Sequence, residues 1–89
     1  MKRKNYASKE MIEMIATLRK KGIKEYICST SYVTKTGKVK TLKHVWKSTA
    51  QGISAYANNM FLKYGDSVCV VVTYFDNDMK FHILCEYGA

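Results

Sequence analysis

Residues 25–47 read EYICSTSYVTKTGKVKTLKHVWK. Two runs rich in β-branched and aromatic residues flank Lys35-Thr36-Gly37, which is the pattern of a β-hairpin. If those three residues make a type I turn closed by a glycine bulge, Thr34 faces Lys38. One face then carries Ile27, Val33, Val39 and Val45, with Ser29, Ser31, Thr41 and Lys43 between them. The other carries Tyr26, Cys28, Thr30, Tyr32, Lys38, Lys40, Leu42, His44 and Trp46. A two-residue turn would regroup the cross-strand pairs, although the two faces of each single strand would stand.

Upstream, Ser8 suits a helix N-cap with Glu10 in the first turn. Met11, Ile12, Ile15 and Leu18 recur at helical spacing, Lys20 and Lys21 suit the carbonyl end, and Gly22 suits the left-handed position beyond it. The spacing predicts a helix over 9–21. Downstream, Ser48-Thr49-Ala50-Gln51 fits a capping box with Ser48 as N-cap. Ile53, Tyr56, Ala57, Met60, Phe61 and Tyr64 continue at helical spacing up to Gly65, which predicts a second helix over 49–64.

A second hairpin follows, SVCVVVTYF and MKFHILCEY around Asp76-Asn77-Asp78. Pairing Phe75 with Lys80 gives a core face of Val68, Val70, Val72, Tyr74, Phe81, Ile83, Cys85 and Tyr87. The opposite face, Cys69, Val71, Thr73, Phe75, Lys80, His82, Leu84 and Glu86, is mixed rather than plainly polar, and such a face often has something lying on it.

The order is therefore α-β-β-α-β-β. The halves echo each other around Gly22 and Gly65 in rhythm more than in identity. The expected fold is α+β, one four-stranded antiparallel sheet with both helices on one face, and the order is compatible with a permuted ferredoxin-like topology. It also resembles the core of homing endonucleases of the LAGLIDADG type. Those enzymes hold a metal with an acidic residue at the end of the first helix. Arg19-Lys20-Lys21-Gly22 stands there in this chain, so the resemblance does not extend to cleavage.

Eighty-nine residues make one domain, read as a basic flexible tail over 1–7 and a single α+β domain over 8–89. Charge is uneven: residues 1–47 hold thirteen Lys/Arg against three acids, a balance of +10, and residues 48–89 hold two against four, a balance of −2. One basic face is implied, and a basic face favours nucleic acid or an acidic protein surface. No signal peptide or bilayer-spanning segment is visible, so an intracellular, cytoplasmic protein without membrane attachment is expected.

The residues for catalysis do not assemble. Cys28, Cys69 and Cys85 are an odd number without CxxC spacing, read as reduced core residues. Together with His44 and His82 they are dispersed along four strands, whereas zinc sites draw ligands in close pairs, so no metal or other cofactor is expected. Cys28 and His44 facing each other across the first hairpin would supply two members of a nucleophilic site, but no acid supplies the third. No glycine-rich phosphate loop is present. The expectation is a protein that is not an enzyme.

Binding is the class that remains. Lys35, Lys38, Lys40, Lys43 and Lys47 crowd the first hairpin, where a β-ribbon can neutralise phosphates along a DNA or RNA backbone. Tyr32 and Trp46 interleave with them and suit stacking on bases. No helix-turn-helix, RNP or GXXG pattern marks a sequence reader, so low specificity is expected. The alternative is a protein-interaction regulator, such as a viral (phage) or mobile-element inhibitor of a nucleic-acid-handling complex. Its interface would be Val71, Phe75 and Leu84 on the outer face of the second hairpin, which would also allow a homodimer.

Overall fold

The computed structural model describes residues 8–88, so the basic tail expected over 1–7 lies outside them. The element order is α1 (Lys9–Lys20), β1 (Tyr26–Val33), β2 (Val39–Thr41), β3 (Val45–Lys47), α2 (Ala50–Tyr64), β4 (Cys69–Phe75) and β5 (Phe81–Tyr87). The fold is α+β, two helices on an antiparallel sheet.

Local chemistry sets the helix ends. The Ser8 hydroxyl accepts from the Met11 amide at 3.1 Å, which starts α1. Gly22, at φ +86°, closes it: the Gly22 amide donates to the Arg19 carbonyl and the Ile23 amide to Leu18, both at 3.0 Å. That pair of bonds is a Schellman motif, and it turns Ile23 down into the core. The second helix starts one residue later than Ser48 would place it. Thr49 is the N-cap, its Oγ1 accepting from the Gly52 amide at 2.9 Å, and the Ser48 carbonyl instead accepts from the Arg19 guanidinium at 2.9 Å.

Five strands replace the four expected, because the second strand of the first hairpin is broken. β2 and β3 lie end to end along one edge of β1, and β4 pairs with the other edge. Their registers differ by one: Ser31 stands opposite Thr41, yet Cys28 stands opposite Val45 rather than His44. Three residues, 42–44, therefore span the distance that two cover in β1, which is a β-bulge. Past it every side chain changes face. Val45 and Lys47 join Tyr26 and Cys28, while Trp46, expected beside Tyr26, moves to the other face opposite Ile27.

The second hairpin is offset in the same way. Phe75 pairs with Phe81, not Lys80, because Met79 adds a left-handed residue to the turn at φ +63°. Phe81 and Ile83 thereby leave the expected core face. A second irregularity opposite Val72/Thr73 then returns Cys85 and Tyr87 to it and carries Leu84 inward as well. Leu84, expected on the outer face, is buried in the core.

The spatial order is β2/β3-β1-β4-β5, so the first strands of the two hairpins meet in the centre. A permuted ferredoxin-like sheet would have the second strands meet there, so that topology is not the one formed. Met11 and Ile15 of α1 and Ala50, Ile53 and Ala57 of α2 pack on Tyr26, Cys28, Val70, Val72 and Leu84 in one core. Both helices therefore cover the same sheet face. Within that core the Thr30 and Tyr56 hydroxyls bond at 2.7 Å, which satisfies a fully buried polar group.

Candidate functional site

The face away from the helices is built by alternation. On β1 it takes Ile27, Ser29 and Ser31, on β4 Cys69, Val71, Thr73 and Phe75, and on the two edges Trp46, Phe81, Ile83 and Glu86. Water normally meets polar residues on such a face. Here Trp46 is 58% exposed, Phe81 58%, Ile83 59% and Phe75 43%. Ile27 lies beneath them, buried yet outside the helix-covered core. The Phe75 and Phe81 rings form a tilted pair with centroids 5.2 Å apart. Between Trp46 and Phe75 a cleft of about 420 Å³ opens, floored by Ile27, with Lys24, Glu25 and Asn77 at its rim. The Asn77 amide donates to the Lys21 carbonyl at 2.9 Å, which anchors that rim to the end of α1.

The basic hairpin overhangs this sheet. β4 pairs with β1 only as far as Ser31, so the tip from Tyr32 to Lys40 projects beyond β4. The tip has the expected turn: the Thr34 amide donates to the Lys38 carbonyl at 2.8 Å, and Gly37 sits at φ +85°. Ser67 reaches across to support it, exchanging two bonds of 3.3 Å with the Val33 backbone. Lys35, Lys38, Lys40 and Lys43 are exposed, whereas Lys47 is half-buried with its Nζ 5.7 Å from the Tyr56 ring centroid. Four of the five lysines are thus open to an outside anion, and the fifth packs against α2.

Tyr32 and Trp46 do not share a face. Tyr32 is half-buried and stacks on Tyr64 of α2, with ring centroids 4.3 Å apart and planes 21° from parallel. One Tyr32 ring face is therefore taken by the protein itself. Of the outer-face residues, Val71 and Phe75 lie together on the helix-free surface and Leu84 does not. Sequence reasoning placed Phe81 and Ile83 in the core and overlooked Lys24 and Asn77. The one local signal for the first two was the number of residues in the turn after Phe75.

Burial pushes the Cys28 thiol up to about 11, partly offset by the nearby Lys47 charge. Burial likewise pushes Cys85 up to about 11. His44 lies in the bulge, so it does not stand opposite Cys28. Among the described residues no three His, Cys, Asp or Glu side chains gather to hold a metal ion. No helix among them is long and apolar enough to cross a membrane. Comparison of the chain with models of protein families, with curated proteins and with solved structures finds no match.

Proposed function

We propose that the chain is a non-enzymatic nucleic-acid-binding protein of low sequence specificity, which grips phosphates with its first hairpin. The observation that carries this reading is the overhang. Lys35, Lys38, Lys40 and Lys43 are all exposed on or beside a hairpin that projects past the sheet. Across residues 24–47 six lysines face one acid, Glu25, so the local field is strongly positive. Each lysine that neutralises a phosphate releases a counterion, so affinity falls steeply with salt.

The test is anisotropy of a labelled oligonucleotide against salt. Binding is expected at about 50 mM salt and is mostly lost by about 200 mM. Lys38, Lys40 and Lys43 changed together to Glu should abolish it, and no binding by the unaltered protein at low salt would overturn the proposal.

A second reading, a protein-docking regulator, draws support from Val71 and Phe75 lying on a face that no helix covers. It requires a salt-tolerant complex that a charged residue at either position weakens.

A further inference from the structure

We infer that the helix-free sheet face is a platform for unpaired bases, so that the nucleic acid taken is single-stranded. This rests on the nucleic-acid reading above and adds the class of ligand and a second site. Three exposed aromatics, Trp46, Phe75 and Phe81, lie on one face of one sheet. Their strands hold them: Trp46 stands opposite buried Ile27, and Phe75 is braced by Phe81. Rigid aromatic surfaces with an open cleft between Trp46 and Phe75 suit flat, apolar rings.

Charge decides which flat rings. Trp46 belongs to the most basic stretch of the chain, three residues from exposed Lys43, and Lys24 stands beside Glu25 at the rim of its cleft. A ligand that pairs flat rings with regularly spaced negative charge is a single-stranded polynucleotide. A duplex offers the same phosphates but keeps its bases stacked, so it would engage the lysines and leave the aromatics idle. Among the described residues Glu86, on the far strand, is paired into this face opposite Val71, and Glu25 is the one acid lining the cleft. A strand would therefore run with its phosphates along the β2/β3 edge and its bases turned inward over Ile27.

The experiment compares one labelled sequence as single strand and as duplex, at one low salt concentration. Three proteins are used: unaltered, Trp46→Ala/Phe81→Ala, and Lys38→Glu/Lys40→Glu/Lys43→Glu. Both aromatics are more than half exposed, so their removal should leave the fold intact, which circular dichroism checks. The single strand is expected to bind about tenfold or more tighter than the duplex and to quench Trp46 fluorescence. The aromatic variant should lose about ten- to hundredfold in affinity for the single strand and keep its affinity for the duplex. The lysine variant should lose both.

Equal affinity for the two forms, unchanged by the aromatic variant, overturns this inference and leaves the phosphate reading standing. No binding of either form overturns both. A dimer, or a salt-tolerant protein complex, that disappears in the aromatic variant also overturns it and assigns the face to protein.

Discussion

Trp46 stands directly opposite Ile27 on the face away from both helices, because residues 42–44 put one residue too many into the strand. Removing one of them should therefore merge β2 and β3 while keeping both registers, since Ser31 would still meet Thr41 and Cys28 would still meet Val45. Deletion of Lys43 is expected to change stability by no more than about 1 kcal/mol. The single tryptophan should remain red-shifted in emission and open to acrylamide. A blue-shifted, protected tryptophan would show that the extra residue was not what set its face.

The stack of Tyr32 on Tyr64 ties the overhanging hairpin to α2. Tyr32→Ala should lower stability by about 1–3 kcal/mol in denaturant titration, from lost burial and ring pairing. Tyr32→Phe keeps the ring and should cost less than about 0.5 kcal/mol. With the folded fraction held equal, oligonucleotide affinity should be unaltered in both. A loss of affinity in the Ala variant at equal folded fraction, with the Phe variant unaffected, would return Tyr32 to the binding surface.

Asp76 organises the second turn. Its Oδ1 accepts from the Asp78 and Lys80 amides at 2.8 and 2.9 Å, and its Oδ2 lies 2.7 Å from His82 Nε2. The bond with His82, then those from the backbone, hold its carboxyl below the usual carboxylate range. Folding therefore favours the ionised form. This stabilisation is present above the unfolded-state pKa and disappears as pH falls through the lower folded-state value. Asp76→Asn should melt below the unaltered protein at neutral pH, and the gap should close in acid. A gap of constant size across that range would refute the linkage.

Two turns of the same form carry different residues at the left-handed position, Gly37 and Met79. The Gly37 amide donates to the Thr34 carbonyl at 2.9 Å, and the Met79 amide to Asp76 at 3.0 Å, both from left-handed backbone. Glycine takes that conformation freely, whereas a side chain there costs about 1–2 kcal/mol. Met79→Gly should therefore raise stability by about 0.5–1 kcal/mol. Gly37→Ala should lower it by about 1 kcal/mol for backbone reasons alone, since an added Cβ meets nothing within 4 Å. Calorimetry of the two variants checks the signs.

Thiol chemistry should single out Cys69. A rise to about 11 at Cys28 and Cys85 cuts their thiolate roughly 100-fold at mildly alkaline pH. Cys28 is also fully buried. A water-soluble disulfide reagent should modify Cys69 first under native conditions, and the other two only on unfolding. Rapid labelling of all three sites would contradict the packing of the core.

Several features of the fold were legible because each depends on residues close in sequence. Ser8 and Gly22 bound the first helix through contacts three to five residues long. The turn at Lys35-Thr36-Gly37 follows from glycine alone at the left-handed position. Four of the five hairpin lysines are exposed, as charged residues on a projecting ribbon will be. The helix-free aromatic face was not legible. Phe81 and Ile83 read as core, and Trp46 as a neighbour of Tyr26, because a strand pattern has period two and says nothing about which neighbour each residue meets.

The sequence by itself determined the alternation of helices with hairpins, the caps of the first helix and the two faces of β1 and β4, since these follow from local hydrogen bonding and side-chain alternation. Only the tertiary structure decided which face of each strand the helices cover. That choice turns on one-residue offsets at residues 42–44, at Met79 and around Leu84. They bring Val45 and Leu84 against the helices and leave Trp46, Phe81 and Ile83 outside. A slip of one residue exchanges the two faces at almost no local cost, so register is settled by what fits beneath α1 and α2, a contact between parts of the chain far apart in sequence.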